Sequence, residues 1–511
     1  MRKIYYKILI FTLLTTFFSC GDFLERKPKL GLTEGTVLRD RNDAEAFITS
    51  CYDGLQEGFD EYYVWDRFIY GDAMADNAYS GGDDPDIIQI DKLTVAANNL
   101  VVMRDWKSLY GGILRCNVVL KYVPEIADKD LDNVLTDGIS RRQQILAEAA
   151  FLRAFHYFNI VRLWGDVPIV TTTGSIAPED IFLPRLPKSD VIKQIINDLL
   201  FASQYLPQKW ANNSETCSRA TLGMANALMA KVYAIDGAPH NVNWAKVEEY
   251  CNKVIDSGIY DLLDDFNSLF DDAHRNNRES ILIVQYLAGT EESNYAPQLL
   301  LPPSKTGDTW RKYITPSHDL IADFDNEGDE IRKNASIIFE DIKNIWTDEY
   351  YSVQNGSRWE TRTLPFPYKM RHANGWQSGD QIYLIRLADI VLLRAEAVNQ
   401  TKGFATAADD PLLKKIRQRV GLQPIAPSSK EQMAELLLRE RRLELAFEGH
   451  RFYDLQRSGK FVETMNNIEL NILISNKMEI RKYNAQTFMN LLPIPQSERD
   501  RNKNLSQNEG Y

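Results

Sequence analysis

The sequence predicts a mostly α-helical protein in which helix hairpins are joined by long, loop-rich regions carrying few short strands. Three observations predict it. Apolar residues recur at three-and-four spacing in several segments, the period of a helix with one buried face. Those segments share a flavour, rich in alanine and laced with arginine and glutamate. Between them, residues 81–85, 168–187, 290–316 and 346–379 are rich in glycine, proline, asparagine and aromatics, and irregular chain of that length in a compact protein is usually functional.

Taken in order, the chain opens with Arg2, Lys3 and Lys7, an apolar run over residues 8–18, then Ser19 and Cys20. A basic start, a short hydrophobic stretch and a small residue before the cut make a secretion leader. Eleven helical residues rise only ~16 Å, about half of a ~30 Å hydrocarbon core, so the run is too short to span a membrane stably. Residues 1–19 therefore read as a leader and 20–511 as one large globular domain. Because Cys20 sits where the apolar run stops and polar chain follows, the arrangement resembles the lipobox of bacterial lipoproteins, in which that cysteine is acylated. Phe18 departs from the small residue that pattern prefers. The other reading is a plain leader cut near Ser19.

Helices are expected over residues 141–163, with Ile145, Ala149, Leu152, Phe155 and Phe158 on one face, and over 218–235, with Ser218 as N-cap. Small residues in the second allow close approach of a partner helix. The partner is expected over 244–255, closed by Gly258. Further helices are expected over 381–398 and 433–457, and the set suggests tetratricopeptide-like hairpins scattered along the chain. Residues 280–286 (SILIVQY) read as a buried strand. Residues 163–168 read as a helix end, where Gly165 permits a left-handed turn and Pro168 stops continuation.

Composition limits function. The formal charge is −12, and loss of the basic leader makes it more negative, so a phosphate backbone would be repelled and nucleic acid is not a partner. Cys51, Cys116, Cys217 and Cys251 lie in no ligand spacing and read as buried free thiols. The six histidines form no HExxH-type pair, and His156 and His450, inside helical stripes, read as structural. No nucleotide, serine-hydrolase or cofactor motif occurs. Asp323, Asp325, Asn326, Glu327 and Asp329 superficially resemble a calcium loop, but the 12-residue register fails. Asp83–Asp84 and Asp264–Asp265 read as turn residues. The reading is a protein that is not an enzyme, with no cofactor and no metal.

Several segments together resemble the SusD/RagB family: CGDFLERKPK from Cys20, EAAFLRAFHYFNIVRLWGDVPIV, SRATLGMANALMAKVYA, YLIRLADIVLLRAEAVNQ, RERRLELAFEGHRFYDLQRSG and the ending LLPIPQSERDRNKNLSQNEGY. They run in family order to Tyr511. The resemblance implies a SusD-like fold and an outer-membrane, exterior-facing lipoprotein that passes oligosaccharide to a SusC-like TonB-dependent barrel. In residues 440–457 the charged residues read as ion pairs bracing helices against loops, with Glu448–Arg451 and Asp454–Arg457 at i,i+3 spacing.

Sugar rings lie on aromatic faces while amides, carboxylates and guanidinium groups take their hydroxyls. The loops offer Asp72, Asp76, Asn77 and Tyr79, then Tyr295, Trp310 and Arg311, then Trp346, Arg358, Trp359 and Trp376 as ligand contacts. Two other classes remain: a protein-interaction or peptide-uptake scaffold using the hairpins, and a glycoside hydrolase, since acidic residues are too abundant to exclude a carboxylate pair.

Overall fold

A computed structural model describes residues 39–56, 62–82, 84–134, 138–173, 181–307, 313–341, 363–474 and 477–511. Cys20 and the leader lie outside them. The helices that position the site are α1 (Arg41–Asp53), α2 (Leu100–Tyr122), α3 (Arg141–Trp164), α4 (Lys188–Tyr205), α5 (Leu222–Ile235), α6 (Trp244–Ile255), α7 (His318–Glu327), α8 (Leu387–Thr401), α9 (Lys430–Glu444) and α10 (Arg451–Ser458). Each of α2 to α6 packs on the next, and the row continues through α8 to α9. One apolar cluster runs along it, with members from Ala44 to Leu505. Among the described residues, no helix is long and apolar enough to cross a membrane.

Local chemistry explains the helix limits. Ser140 opens α3 with a capping box: its Oγ accepts the Gln143 N–H, and Gln143 Oε1 accepts the Ser140 N–H at 2.8 Å. Gly165, at φ +71°, ends it. The one-sided stripe expected for α3 proves too narrow. Buried residues lie on almost every side, because α1, α2 and α4 all pack against it. In α5, a Cβ on Gly223 would come within 2.3 Å of the Tyr260 hydroxyl, so a small residue is required. The cap of α5 is Thr221, whose side chain accepts the Met224 N–H. Ser218 instead ends a short helix, Asn213–Ser218, which corrects the sequence assignment.

The strands form four antiparallel pairs: β1 (Ala78–Tyr79) with β3 (Thr315–Pro316), β2 (Ser280–Val284) with β6 (Ile382–Arg386), β4 (Ile337–Asp341) with β5 (Thr363–Pro367), and β7 (Glu469–Ile474) with β8 (Lys477–Lys482). β2 falls within the predicted strand. β6 occupies the start of what the sequence reads as one helix over 381–398.

The segment read as one helix over 433–457 is broken. Phe447 (φ +58°) and Gly449 (φ +73°) both take left-handed backbone between α9 and α10, a conformation uncommon for a bulky residue. Buried Asp72 stabilises the break by accepting the backbone N–H groups of Phe447 (3.1 Å) and Gly449 (2.9 Å). Burial raises its pKa to about 6.

Below the break lies a buried ionic core. Arg386 reaches Glu279 (2.8 Å), Glu444 (2.6 Å) and Glu448 (2.8 Å). Arg332 bonds Glu440 (2.7 Å) and Glu444 (3.1 Å). Arg419 and Lys369 add bonds to Glu444 (2.5 Å) and Glu448 (2.7 Å). The bracing role expected of the arginine-rich segment therefore holds, with one correction in pairing. Asp454–Arg457 forms at 3.0 Å, whereas Glu448 turns to Arg386 and Arg451 to Asp76 because Glu448 lies in the break between α9 and α10.

The remaining expectations find plain structural roles. Asp84 caps the helix Pro85–Asp91, and Asp265 caps the turn Phe266–Phe270. The calcium-like acids are engaged by cations: Asp323 by Arg442, Asp325 by Lys333, Glu327 by Arg417 and Asp329 by Arg332. Four cysteines are buried and free. His156 is buried with Nδ1 2.9 Å from the Tyr63 hydroxyl.

Candidate functional site

At one end of the β2–β6 ladder, the loop after β2 and the loop before β6 lie side by side and carry exposed chain at 287–292 and 374–377. Asn294 and Ser378 exchange backbone hydrogen bonds of 2.8 and 3.0 Å, and the Gly289 N–H donates to the Gln377 carbonyl at 3.1 Å. The Asn294 amide adds a bond to the Asp380 carbonyl at 2.8 Å. The tip is a tight turn: the Gln377 N–H donates to the Asn374 carbonyl at 3.1 Å, with Gly375 at φ +56° supplying the left-handed residue. Trp376 stands on this turn with 38% of its surface exposed. Asn374, Gln377, Glu291 and Glu292 are exposed beside it. An indole held on a pinned turn with an amide and carboxylate rim can stack a flat apolar face and bond its polar edge.

The base of the second loop is braced. Asp380 Oδ2 accepts the His372 backbone N–H at 2.9 Å, and Oδ1 lies 2.7 Å from His372 Nδ1. The Ser378 hydroxyl donates to the His372 carbonyl at 2.6 Å and accepts the Asp380 N–H at 3.0 Å. The hydrogen bond to Asp380 raises the His372 pKa, with burial opposing it. Asp272 Oδ1, from the turn Asp272–His274, stands 3.9 Å from the same nitrogen. Beside the three runs a narrow cleft lined by Phe68, Phe270, Arg275 and Lys369. A wider groove of about 320 Å³ opens between α1 and β2. There Glu148 is occupied by Tyr52 (2.8 Å), Arg141 (2.7 Å) and Arg219 (2.8 Å), a structural assignment for its carboxylate.

Of the sequence-selected contacts, Trp376 alone among the described residues is exposed. Asp76, Asn77 and Tyr79 are buried, and their selection as ligand contacts is corrected. Asp76 bonds Arg451 twice at 2.7 Å and Arg442 at 3.1 Å. Burial alone would raise its pKa, but Arg442 and Arg451 hold it well below the carboxylate range. Asn77 donates to Asp72 at 2.9 Å and accepts from Arg442 at 3.0 Å. Tyr79 lies in the buried β1–β3 pair. Tyr295 is buried where it precedes the helix Ala296–Leu300, a second correction. Trp310, Arg311, Trp346, Arg358 and Trp359 lie outside the described residues. Sequence reasoning missed His372, Asp380 and Asp272, whose convergence follows from topology and from no spacing motif.

A model of the SusD family matches residues 278–511, and one described as starch-binding, associating with outer membrane, matches residues 22–234. The chain is 26% identical to SusD-like protein P2 of Formosa agariphila over 550 residues, covering 100% of each. It is 25% identical to starch-binding protein SusD of Bacteroides thetaiotaomicron over 433 residues, 74% of each. Surface glycan-binding protein A of Bacteroides thetaiotaomicron, solved in complex with laminarihexaose, superposes with a TM-score of 0.70 at 21% identity, covering 92% of this chain and 99% of that one. That likeness is one of fold.

Proposed function

The chain belongs to the SusD/RagB family, and on that premise we propose that it binds an oligosaccharide without cleaving it at the outer membrane. It is held there by acylated Cys20, faces the exterior, and delivers its cargo to a SusC-like TonB-dependent barrel. The observation that carries glycan capture is the exposed Trp376 on its pinned turn, with a polar rim on both loops. The starch-binding and laminarihexaose-bound relatives support the ligand class. No step is assigned to a carboxylate pair: Glu279, Glu440, Glu444 and Glu448 are matched with arginine or lysine, Asp72 is held by Asn77 and two backbone N–H groups, and Asp380 by His372. Tetratricopeptide-like pairing of α5 with α6 offers a surface for the barrel, and Cys20 supplies the tether.

Isothermal calorimetry of the purified protein against starch, laminarin and a panel of oligosaccharides, repeated on Trp376→Ala, tests the capture. Retention of every hit by the variant rejects the Trp376 platform. Binding of no glycan, together with barrel pull-down, supports the scaffold or peptide-uptake reading instead. Cys20→Ser, followed by membrane fractionation, tests the anchor, and the substituted chain is expected in the soluble fraction.

A further inference from the structure

We propose that Asp272, His372 and Asp380 form a binding site for a divalent cation of borderline softness, of the zinc class, tying the 272–274 turn to the loop that carries Trp376. The argument is independent of the glycan reading. One ligand atom from each of the three residues lies within 4.8 Å of the others. Two carboxylates converge on one imidazole nitrogen, Asp380 at 2.7 Å and Asp272 at 3.9 Å. A single N–H can be directed at only one of them, so the second negative charge is brought close without a matching donor from that ring. A cation between them serves both.

The distances suit such an ion. Tetrahedral ligands at about 2.1 Å from zinc stand ~3.4 Å apart, so from separations of at most 4.8 Å closure requires Asp272 to move in by no more than ~1.4 Å and His372 to swing slightly from Asp380. Asp272 can move, since its side chain is 61% exposed. The others are pre-set. Asp380 is oriented by the His372 backbone N–H, and His372 by the Ser378 hydroxyl on its carbonyl, the supporting contacts that hold ligands in place. The imidazole decides the class: hard calcium prefers an all-oxygen shell of six to eight ligands, whereas nitrogen with two carboxylates suits zinc and its neighbours. Three protein ligands leave a coordination position facing outward.

Tag-free, chelator-treated protein titrated with Zn²⁺ by calorimetry is expected to bind one equivalent and to gain thermal stability. Asp272→Asn and His372→Gln are each expected to weaken Zn²⁺ at least tenfold and to abolish the thermal gain. Asp272→Asn alters an exposed side chain, so loss there is not a folding defect. The neighbouring exposed pair, His274 with Asp271 at 2.8 Å, is the control, and His274→Gln is expected to leave binding unchanged. The proposal is overturned if Asp272→Asn binds like the parent, if His274→Gln removes the binding, or if Ca²⁺ binds as tightly as Zn²⁺.

Discussion

Arg451 grips Asp76 through two hydrogen bonds of 2.7 Å, Nε to Oδ1 and Nη2 to Oδ2, across 375 residues of sequence. The bidentate pair fastens the start of α10 to the loop before β1, and both side chains are buried. Breaking a buried pair strands a charge, which costs about 3–5 kcal/mol. Asp76→Ala is therefore expected to lower the urea-unfolding free energy by that amount. Glycan affinity per folded molecule should be unchanged, because Asp76 does not reach the surface.

Trp376→Ala should behave in the opposite way. Its ring is partly exposed on a turn held by backbone bonds, so the melting temperature should change little. Stacking by one aromatic ring contributes about 0.5–1.5 kcal/mol beyond its buried area, and a loss of tenfold or more in glycan affinity is expected by calorimetry. A variant that binds normally removes Trp376 from the site.

Adjacent glycines in α2 make a paired test. A Cβ on Gly112 would stand 2.4 Å from the His156 ring, while one on Gly111 meets nothing within 4 Å. Gly112→Ala should destabilise by about 1–3 kcal/mol through overpacking. Gly111→Ala should stabilise by about 0.5–1 kcal/mol through helix propensity. Denaturant midpoints of the two variants, falling on opposite sides of the parent, would check the packing of α2 on α3.

Acid sensitivity follows from the ionic core. Burial would raise Glu448, but Arg386 and Lys369 lower it from 4.5 to about 2. Burial opposes the same effect at Asp454, which Arg441 and Arg457 lower from 3.8 to about 2. The folded protein keeps these charges where the unfolded chain has already taken up protons. Their stabilisation is thus complete above about pH 4.5 and lost as pH falls towards 2. Asp72, raised from 3.8 to about 6, acts in the opposite sense, weakening the fold as pH rises from 4 to 6. Unfolding free energies from pH 7 to 2 should fall steeply below 4.5, and Asp72→Asn should flatten the 4-to-6 window.

Much of the helical frame was legible because its signals are local. The expected bounds of α6 are the observed ones, and α3 differs by one residue at Trp164. The misreadings arose where distant chain decides. Residues Ile382–Arg386 could continue the following helix by periodicity, but β2 pairs with them and makes a strand. The break at Phe447–Gly449 depends on Asp72, far earlier in the chain. At the proposed site, loop composition pointed to Trp376, which the fold leaves exposed. It could not separate it from Asp76 or Tyr295, which the same composition favours but the fold buries. The His372–Asp380–Asp272 convergence needs the loop register, and no residue spacing encodes that.

The buried charges around Arg386 also set an order on folding. Arg332 and Arg386 are fully buried, yet Glu440, Glu444 and Glu448, which neutralise them, all lie in the C-terminal part of the chain. A nascent chain that has not yet produced Glu440 offers Arg332 only Asp329 and Arg386 only Glu279 among these partners, so the network is incomplete. Completion of the network therefore awaits nearly the whole polypeptide, the slow regime of long-range contacts. Until then the chain lacks Glu444, the carboxylate that joins the two arginines.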